Sequence, residues 1–158
     1  LSSKVLRAII SVHPYEEVAY DIFPLKNVNP FSGSGMLGLL KKPIETEYFL
    51  KKIKRTFACK VIRHSPIISA KVSKIAVCGG SGSFLINDAI STGADIFITG
   101  DVKYHDFFLA DNKIVIADIG HYESEQFTKD LIYKLLTGKF TTFAVRLSEL
   151  NTNPINYF

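Results

Sequence analysis

The second half of the chain alternates short apolar runs with segments of helical periodicity, and this alternation narrows the folds that the chain can adopt. Short apolar runs separated by helical segments are typical of strand–helix–strand units, which place parallel strands side by side. We therefore predict an α/β fold, with a layered, mostly parallel sheet and flanking helices. The predicted strands are residues 60–63, 74–78, 95–99, 114–117 and 142–147, and the predicted helices are residues 84–91, 104–110 and 121–136.

The first part of the chain is less regular and contains the best candidate for a domain boundary. Residues 4–12 have helical periodicity, and residues 17–23 alternate between apolar and polar side chains as a strand does. Residues 27–35 are rich in Asn, Pro, Ser and Gly, which indicates a loop or linker. We predict two domains, residues 1–27 and residues 33–158.

A predicted amphipathic helix that begins near Thr46 presents two contrasting faces. Its apolar face, expected to point inward, consists of Phe49, Leu50, Ile53 and Phe57. Its basic face consists of Lys51, Lys52, Lys54 and Arg55. A basic helix face can contact nucleic acid, but no aromatic residues interleave with these charges and no groove-reading motif is evident. We favour a solvated face and expect no nucleic-acid partner.

Composition excludes several classes of protein. The chain has 158 residues, of which 47% are hydrophobic and 22% charged, an ordinary globular composition. No apolar run approaches the roughly 18 residues of a membrane span, so we expect no membrane partner and a cytoplasmic location. Cys59 and Cys78 lack metal-type spacing. Because the chain begins with Leu1 and its single methionine is Met36, we expect a longer parent protein and an exposed apolar surface where the remainder docks.

The pair His121 and Glu125 is the strongest candidate for a functional site. Positions four apart lie about 40° apart around a helix, so the imidazole and the carboxylate share one face. On a helical wheel of residues 121–136 both fall beside Ile132 and Leu136, whereas Glu123 points away. An imidazole and a carboxylate held together can bind a metal ion. Alternatively, the acidic residues simply stabilise a helix N-terminus.

Two further loops follow predicted strands and should meet this pair at one edge of the sheet. The glycine-rich loop at residues 79–83 suits an anion or a tight turn. The other loop contains Asp101 and, four residues later, His105. Together the three loops favour metal-assisted hydrolysis of an anionic small molecule. Such a site normally needs three or more protein ligands, and His121 with Glu125 provides two.

Four motifs, in order, resemble the second half of the Ngg-interacting-factor-three-like family, whose members are commonly named GTP cyclohydrolase I type 2 homologues. The motifs are His-Pro-Tyr-Glu-Glu-Val-Ala-Tyr-Asp at 13–21, Gly-Gly-Ser-Gly-Ser at 79–83, Thr-Gly-Asp-Val-Lys-Tyr-His at 99–105 and Gly-His-Tyr-Glu-Ser-Glu at 120–125. The resemblance covers nearly the whole chain but only the C-terminal part of the family.

The resemblance implies two α/β lobes around a dinuclear metal site, often with an inserted ferredoxin-like domain similar to PII and CutA proteins. Residues 1–27 would be the end of that insert, and residues 33–158 the second lobe. His121 and Glu125 would be metal ligands, and the remaining ligands would lie outside this chain. The metal ions would be two per complete site, with Zn, Fe and Mn all suited to His and carboxylate ligands. The family resemblance also implies self-association, as a homohexamer.

The resemblance leaves the reaction open. GTP cyclohydrolase chemistry would make His105 a candidate catalytic acid or base, and would turn Gly80, Ser81, Gly82 and Ser83 toward a substrate. One hypothesis is therefore a metal-dependent hydrolase acting on a nucleotide or other phosphorylated small molecule. The other is a non-catalytic, ring-forming protein that handles metal or regulates a partner.

Overall fold

The structure, a computed structural model, describes residues 2–23 and 32–158. Contacts divide the chain into two units, Leu1–Ser32 and Gly33–Phe158. The first unit contains helix α1, Ser2–Val12, followed by irregular backbone. The predicted strand at 17–23 is wrong, because a strand needs a neighbouring strand to satisfy its backbone groups and the described part of this unit offers none. Most of the predicted linker lies outside the described residues.

The second unit contains five strands and several helices that surround them. The strands are β1 (Met36–Glu45), β2 (Arg63–His64), β3 (Lys71–Ser81), β4 (Ile96–Gly100) and β5 (Val115–Asp118). The α-helices are α2 (Thr46–Thr56), α3 (Ile86–Ser91), α4 (His121–Glu125) and α5 (Thr128–Lys139). Two 3-10 helices, Ser83–Leu85 and Tyr104–Ala110, complete the unit. Within the described ranges, no helix is both long enough and apolar enough to cross a membrane.

The five strands form one mixed sheet in the order β1-β3-β4-β5-β2. The central strands β3, β4 and β5 are parallel, and the outer strands β1 and β2 pair antiparallel with β3 and β5. The predicted α/β fold with flanking helices is confirmed, although its parallel part is confined to the three central strands. Because those strands are parallel, the loops that follow them emerge at the same edge of the sheet.

The strand expected at 60–63 is limited to Arg63 and His64 of β2, and two other predicted elements of this unit also differ in the structure. The expected strand at 142–147 is absent and its backbone is irregular, since β2 already pairs with the outer side of β5. The single helix expected at 121–136 is broken into α4 and α5. The break follows from contacts with Phe57: the Gln126 side chain donates a 2.8 Å hydrogen bond to the Phe57 carbonyl, and the Phe127 ring lies 6.2 Å from the Phe57 ring.

The core consists of two apolar layers, one on each face of the sheet. On one face Phe49 and Ile53 of α2 are buried against alternate residues of the strands, as predicted, with Leu50 and Phe57 partly buried beside them. On the other face α3 contributes Ile86 and packs over Phe97 of β4. Both faces of β4 and β5 are covered, which explains why these strands are apolar throughout.

Replacing Asp95 by alanine should destabilise the sheet by about 2–3 kcal/mol. One oxygen of Asp95, Oδ2, accepts hydrogen bonds from the Ser73 N–H, the Lys74 N–H and the Ser73 hydroxyl, at 2.7, 2.8 and 3.0 Å. These bonds join the turn before β4 to β3. Burial raises the pKa of Asp95, but the hydrogen bonds from Lys74 and Ser73 outweigh it and hold the pKa below its ordinary value of 3.8.

Urea unfolding at several pH values tests this prediction. Because the pKa of Asp95 is lower in the folded state, its contribution to stability is present above pH 3.8 and is lost as the pH falls through the folded-state pKa. The difference in unfolding free energy between the wild type and Asp95→Ala should therefore shrink in acid. Asp88→Ala, at an exposed position on α3, is the control and should leave stability within about 0.5 kcal/mol.

Candidate functional site

The three loops that follow β3, β4 and β5 converge, and hydrogen bonds join them. The Gly80 N–H donates to the Ser124 hydroxyl at 2.8 Å, which links the first loop to α4. The Thr99 hydroxyl donates to the Gly80 carbonyl at 3.2 Å, which links β4 to the first loop. The predicted meeting of these loops at one edge of the sheet is confirmed.

His121 and Glu125 face each other across one turn of α4, and Asp101 approaches from the second loop. His121 Nε2 lies 3.3 Å from Glu125 Oε2, while His121 Nδ1 lies 2.6 Å from Asp101 Oδ2. The side chains of His121 and Glu125 are 47% and 52% exposed. The hydrogen bond to Asp101 raises the pKa of His121; burial lowers it, and the charges of Asp101 and Glu125 add to the rise. The imidazole is thus held between two carboxylates in a position that solvent can reach.

The inward-facing residue of α4 is Glu123, which corrects the helical-wheel prediction. Glu123 is only 6% exposed, whereas His121 and Glu125 are half exposed. The wheel assumed one straight helix over residues 121–136, but α4 ends at Glu125 and α5 runs separately. Ile132 and Leu136, which the wheel placed in the core, are themselves exposed on α5.

Two glycines allow the loops to approach this closely. Gly80 has φ +64°, and a Cβ added there would lie 2.5 Å from Glu125 Oε1. A Cβ added to Gly100 would lie 2.9 Å from the backbone carbonyl carbon of Gly120 and from the backbone nitrogen of His121. A side chain at Gly100 would therefore push the loops apart, whereas one at Gly80 would strain the backbone and displace the Glu125 carboxylate.

A buried carboxylate, Asp118, supports the backbone just before His121. It is 3% exposed, and it accepts hydrogen bonds from the Gly120 N–H at 2.9 Å and the Val102 N–H at 3.0 Å. The Arg63 guanidinium also donates to it and to the Val102 carbonyl, the latter at 2.9 Å. Asp118 is the one acidic residue within the apolar run 114–119, which is the signal in the sequence for its role.

Glu123 lies beneath the site and is contacted by the C-terminal residues. Its Oε1 atom lies 3.5 Å from the Asn153 amide nitrogen and 3.4 Å from the Tyr157 hydroxyl. No described atom forms a hydrogen bond with Oε2. Burial raises the pKa of Cys59 to about 11, and the charge of Glu123 contributes to the rise. Burial also raises the pKa of Tyr157, and the charge of Glu123 raises it further. These contacts attach the largely exposed last eight residues to α4.

A pocket of about 460 Å³ opens beside the His121 and Glu125 pair. One wall comes from α4 and the start of α5, and the other comes from the C-terminal residues. The lining residues are His121, Tyr122, Glu125, Gln126, Lys129, Leu150, Thr152, Asn153, Pro154 and Ile155. The C-terminal segment is therefore part of the site, and no motif in the sequence indicated this.

The other predicted site residues are spread around this cluster. His105 is exposed on the 3-10 helix that follows β4, with its ring 5.2 Å from that of Tyr104. Within the described ranges it forms no hydrogen bond to His121, Asp101 or Glu125. Gly80 contacts Glu125, but neither it nor Ser81, Gly82 and Ser83 line the pocket described above. The catalytic role of His105 and the substrate role of residues 80–83 stay predictions.

The donor set suits part of a metal site. His121 Nε2 and the Glu125 carboxylate are adjacent, and Asp101 Oδ2 accepts a hydrogen bond from Nδ1, the other ring nitrogen. Carboxylates hold metal-binding histidines in this way, because the bond fixes the tautomer and the ring orientation. Across residues 2–23 and 32–158, no group of three or more His, Cys, Asp or Glu side chains is arranged to hold a metal ion. The described residues therefore fit two coordination positions, and further ligands would have to come from elsewhere.

The fold and the site define an α/β protein whose polar cluster lies at the carboxyl edge of its central parallel strands. Residues 7–154 match the family model described as Duf34/NIF3 (NGG1p interacting factor 3), and the chain belongs to this family. The family that the four motifs resemble is confirmed.

Similar proteins support the same assignment. The chain is 35% identical to the GTP cyclohydrolase 1 type 2 homolog of Halalkalibacterium halodurans over 98% of its own length and 43% of the relative's. It is 34% identical to the Bacillus subtilis protein of the same name, with 97% and 42% covered. The crystal structure of a Bacillus cereus protein related to NIF3 matches with a TM-score of 0.69 and 32% identity, covering 99% of this chain and 44% of that one. The chain thus spans less than half the length of these relatives.

Proposed function

We propose that this chain provides His121 and Glu125 to a divalent-metal site in a GTP cyclohydrolase 1 type 2 homologue. In this proposal the complete site has two metal ions and assists hydrolysis of a nucleotide or another phosphorylated small molecule. The proposal depends on the position of the His121 imidazole. Its Nε2 atom lies 3.3 Å from Glu125 Oε2, and its Nδ1 atom lies 2.6 Å from Asp101 Oδ2. The names of the relatives support the nucleotide as a first substrate to test.

Each residue of the cluster has a distinct part in this proposal. Asp101 keeps the proton of His121 on Nδ1. The lone pair of Nε2 is then directed toward the Glu125 carboxylate, where a metal ion would bind both groups. Gly80 brings the first loop against the Glu125 carboxylate and restricts its position. When bound, a divalent ion such as Zn, Fe or Mn would lower the pKa of water and polarise an electrophilic carbon or phosphorus centre. His105 remains the candidate acid or base from this chain.

A non-catalytic, metal-handling or regulatory protein that forms rings is the alternative. The exposed apolar residues of α5 favour association with another lobe or another copy of the chain. Leu131 and Leu135 are 58% and 63% exposed, and no residue of α5 is buried. Exposed leucines that repeat on one helix are typical of an interaction surface. In this alternative the metal would be bound without turnover, and the homohexamer would be the working unit.

Metal content measured by plasma mass spectrometry tests the proposal. The longest product of this gene should contain about two metal ions per chain, and His121→Ala should lose them. The chain of 158 residues alone should bind metal weakly, because two ligands are too few. Asp101→Asn should keep the ligands but weaken metal affinity by about 10- to 100-fold. His13→Ala, at an exposed histidine outside the cluster, is the control and should retain full metal content.

Turnover separates the two functions. If the metal-loaded longest product converts GTP and His121→Ala abolishes that conversion, the hydrolase is supported. Metal binding without turnover of GTP or other phosphorylated compounds would favour the alternative. Absence of metal from both the wild type and the variant would contradict the metal site and leave His121 and Glu125 as helix-end residues.

A further inference from the structure

We infer that the pocket between α4 and the C-terminal segment binds a small organic anion with an apolar body, and that Lys129 pairs with its anionic group. The inference rests on the proposed function, since it places the substrate of that function beside His121 and Glu125. The pocket has a volume of about 460 Å³, within the range of about 300–1,000 Å³ usual for small-molecule sites. Both walls are made by this chain.

Charge selects an anion at one part of the pocket. Lys129 is the one lysine or arginine among the residues that line it, and Glu125 is the one carboxylate. Lys129 Nζ donates to the Ser148 carbonyl at 3.2 Å, and within the described ranges no carboxylate lies within 4 Å of it. Lys129 is therefore not held in a salt bridge with a described carboxylate, and its charge can contact a ligand. A ligand whose anionic end contacts Lys129 would place its other end toward His121 and Glu125.

The C-terminal wall selects an apolar body. Leu150, Pro154 and Ile155 line the pocket, and Leu150 and Ile155 are 78% and 49% exposed. An organic ligand would remove part of this apolar surface from water, whereas inorganic phosphate would cover far less of it. Asn153 adds a polar group to the same wall, so the wall can both cover the ligand and orient it.

The contacts of Glu123 support this wall. Glu123 Oε1 lies within 3.5 Å of the Asn153 amide and the Tyr157 hydroxyl, and the lining residues Pro154 and Ile155 lie between these two contacts in the chain. Pro154, between them, restricts the backbone. The wall is therefore attached to the buried side of α4, the helix whose exposed side presents His121 and Glu125.

The test is calorimetric titration of the complete chain with phenyl phosphate, benzoate, inorganic phosphate and phenol, in buffer containing a metal chelator. Phenyl phosphate and benzoate should bind at least tenfold tighter than inorganic phosphate or phenol. Lys129→Gln should weaken phenyl phosphate binding about fivefold. Lys134→Gln, on the same helix but outside the pocket, should leave it unchanged. Leu150→Ser should weaken phenyl phosphate binding more than inorganic phosphate binding.

Several outcomes would overturn the inference. One is that neither aromatic anion binds at about 10 mM, which means a binding free energy weaker than about 3 kcal/mol. Another is that Lys129→Gln and Lys134→Gln weaken phenyl phosphate binding equally. The last is that phenol binds as tightly as phenyl phosphate. Comparing the two aromatic anions decides between a phosphate and a carboxylate head group. The titration excludes metal, so anion binding can be observed even if the proposed metal site is wrong. Likewise, the measured metal content does not depend on whether the anions bind.

Discussion

Asp118→Ala should be the most destabilising single change near the site, with a loss of about 3–5 kcal/mol in the free energy of unfolding. Asp118 is 3% exposed and accepts hydrogen bonds from Arg63, Val102 and Gly120. Removing it leaves the backbone N–H groups of Val102 and Gly120 without their acceptors, and leaves Arg63 without its counter-charge. Because small domains are stable by only about 5–15 kcal/mol, this is a large fraction of the total.

Urea unfolding followed by circular dichroism measures this loss. Asp118→Asn retains an acceptor oxygen and should fall between the wild type and Asp118→Ala. Asp88→Ala, which removes an exposed carboxylate, again serves as the control and should change stability by no more than about 0.5 kcal/mol. A loss below about 1 kcal/mol for Asp118→Ala would show that water replaces the missing acceptor, and would contradict the assigned role.

Gly120→Ala should have the second largest effect, about 2–4 kcal/mol, and should also disturb the placement of His121. Gly120 has φ +93° and ψ 147°, a backbone conformation that residues with a side chain rarely adopt. A Cβ at this position would also overlap the Glu123 carboxylate. Because Glu123 is buried, it has little room to move, so the first turn of α4 must shift instead.

Two measurements distinguish this effect from a general glycine effect. Gly138→Ala is the matched control, because Gly138 lies within α5 and a Cβ there meets no atom within 4 Å. That change should stabilise the chain by up to about 1 kcal/mol, since alanine favours the helix. Chemical shifts of the His121 ring should move in Gly120→Ala and stay constant in Gly138→Ala. An unchanged free energy of unfolding in Gly120→Ala would contradict the prediction.

Much of the site could be predicted because it depends on features that are local in sequence. The apolar runs of β4 and β5 indicate strands covered on both faces, and the helical spacing of His121 and Glu125 indicates a shared face. Parallel strands then require their following loops to meet at one edge, which is where Asp101 contacts His121. The inward face of α2, with Phe49 and Ile53, followed from periodicity in the same way.

The unpredicted features depend on partners that are distant in sequence. Glu123 faces inward because α4 ends where Gln126 contacts the Phe57 carbonyl, 69 residues away in the chain. Strand propensity at 142–147 was not sufficient, because a strand forms only where an edge of the sheet accepts it.

Sequence alone determined the α/β class and the convergence of three loops, because short apolar runs that alternate with helical segments require parallel strands. It also determined the pair formed by His121 and Glu125, because positions four apart share one face of a helix. Tertiary structure alone decided which acidic residue is buried, what supports the site and what forms the pocket. Asp118 and Arg63 are 55 residues apart, and Glu123 and Tyr157 are 34 apart. A buried carboxylate takes whatever donors the folded chain brings to it, and no local pattern specifies which donors those are.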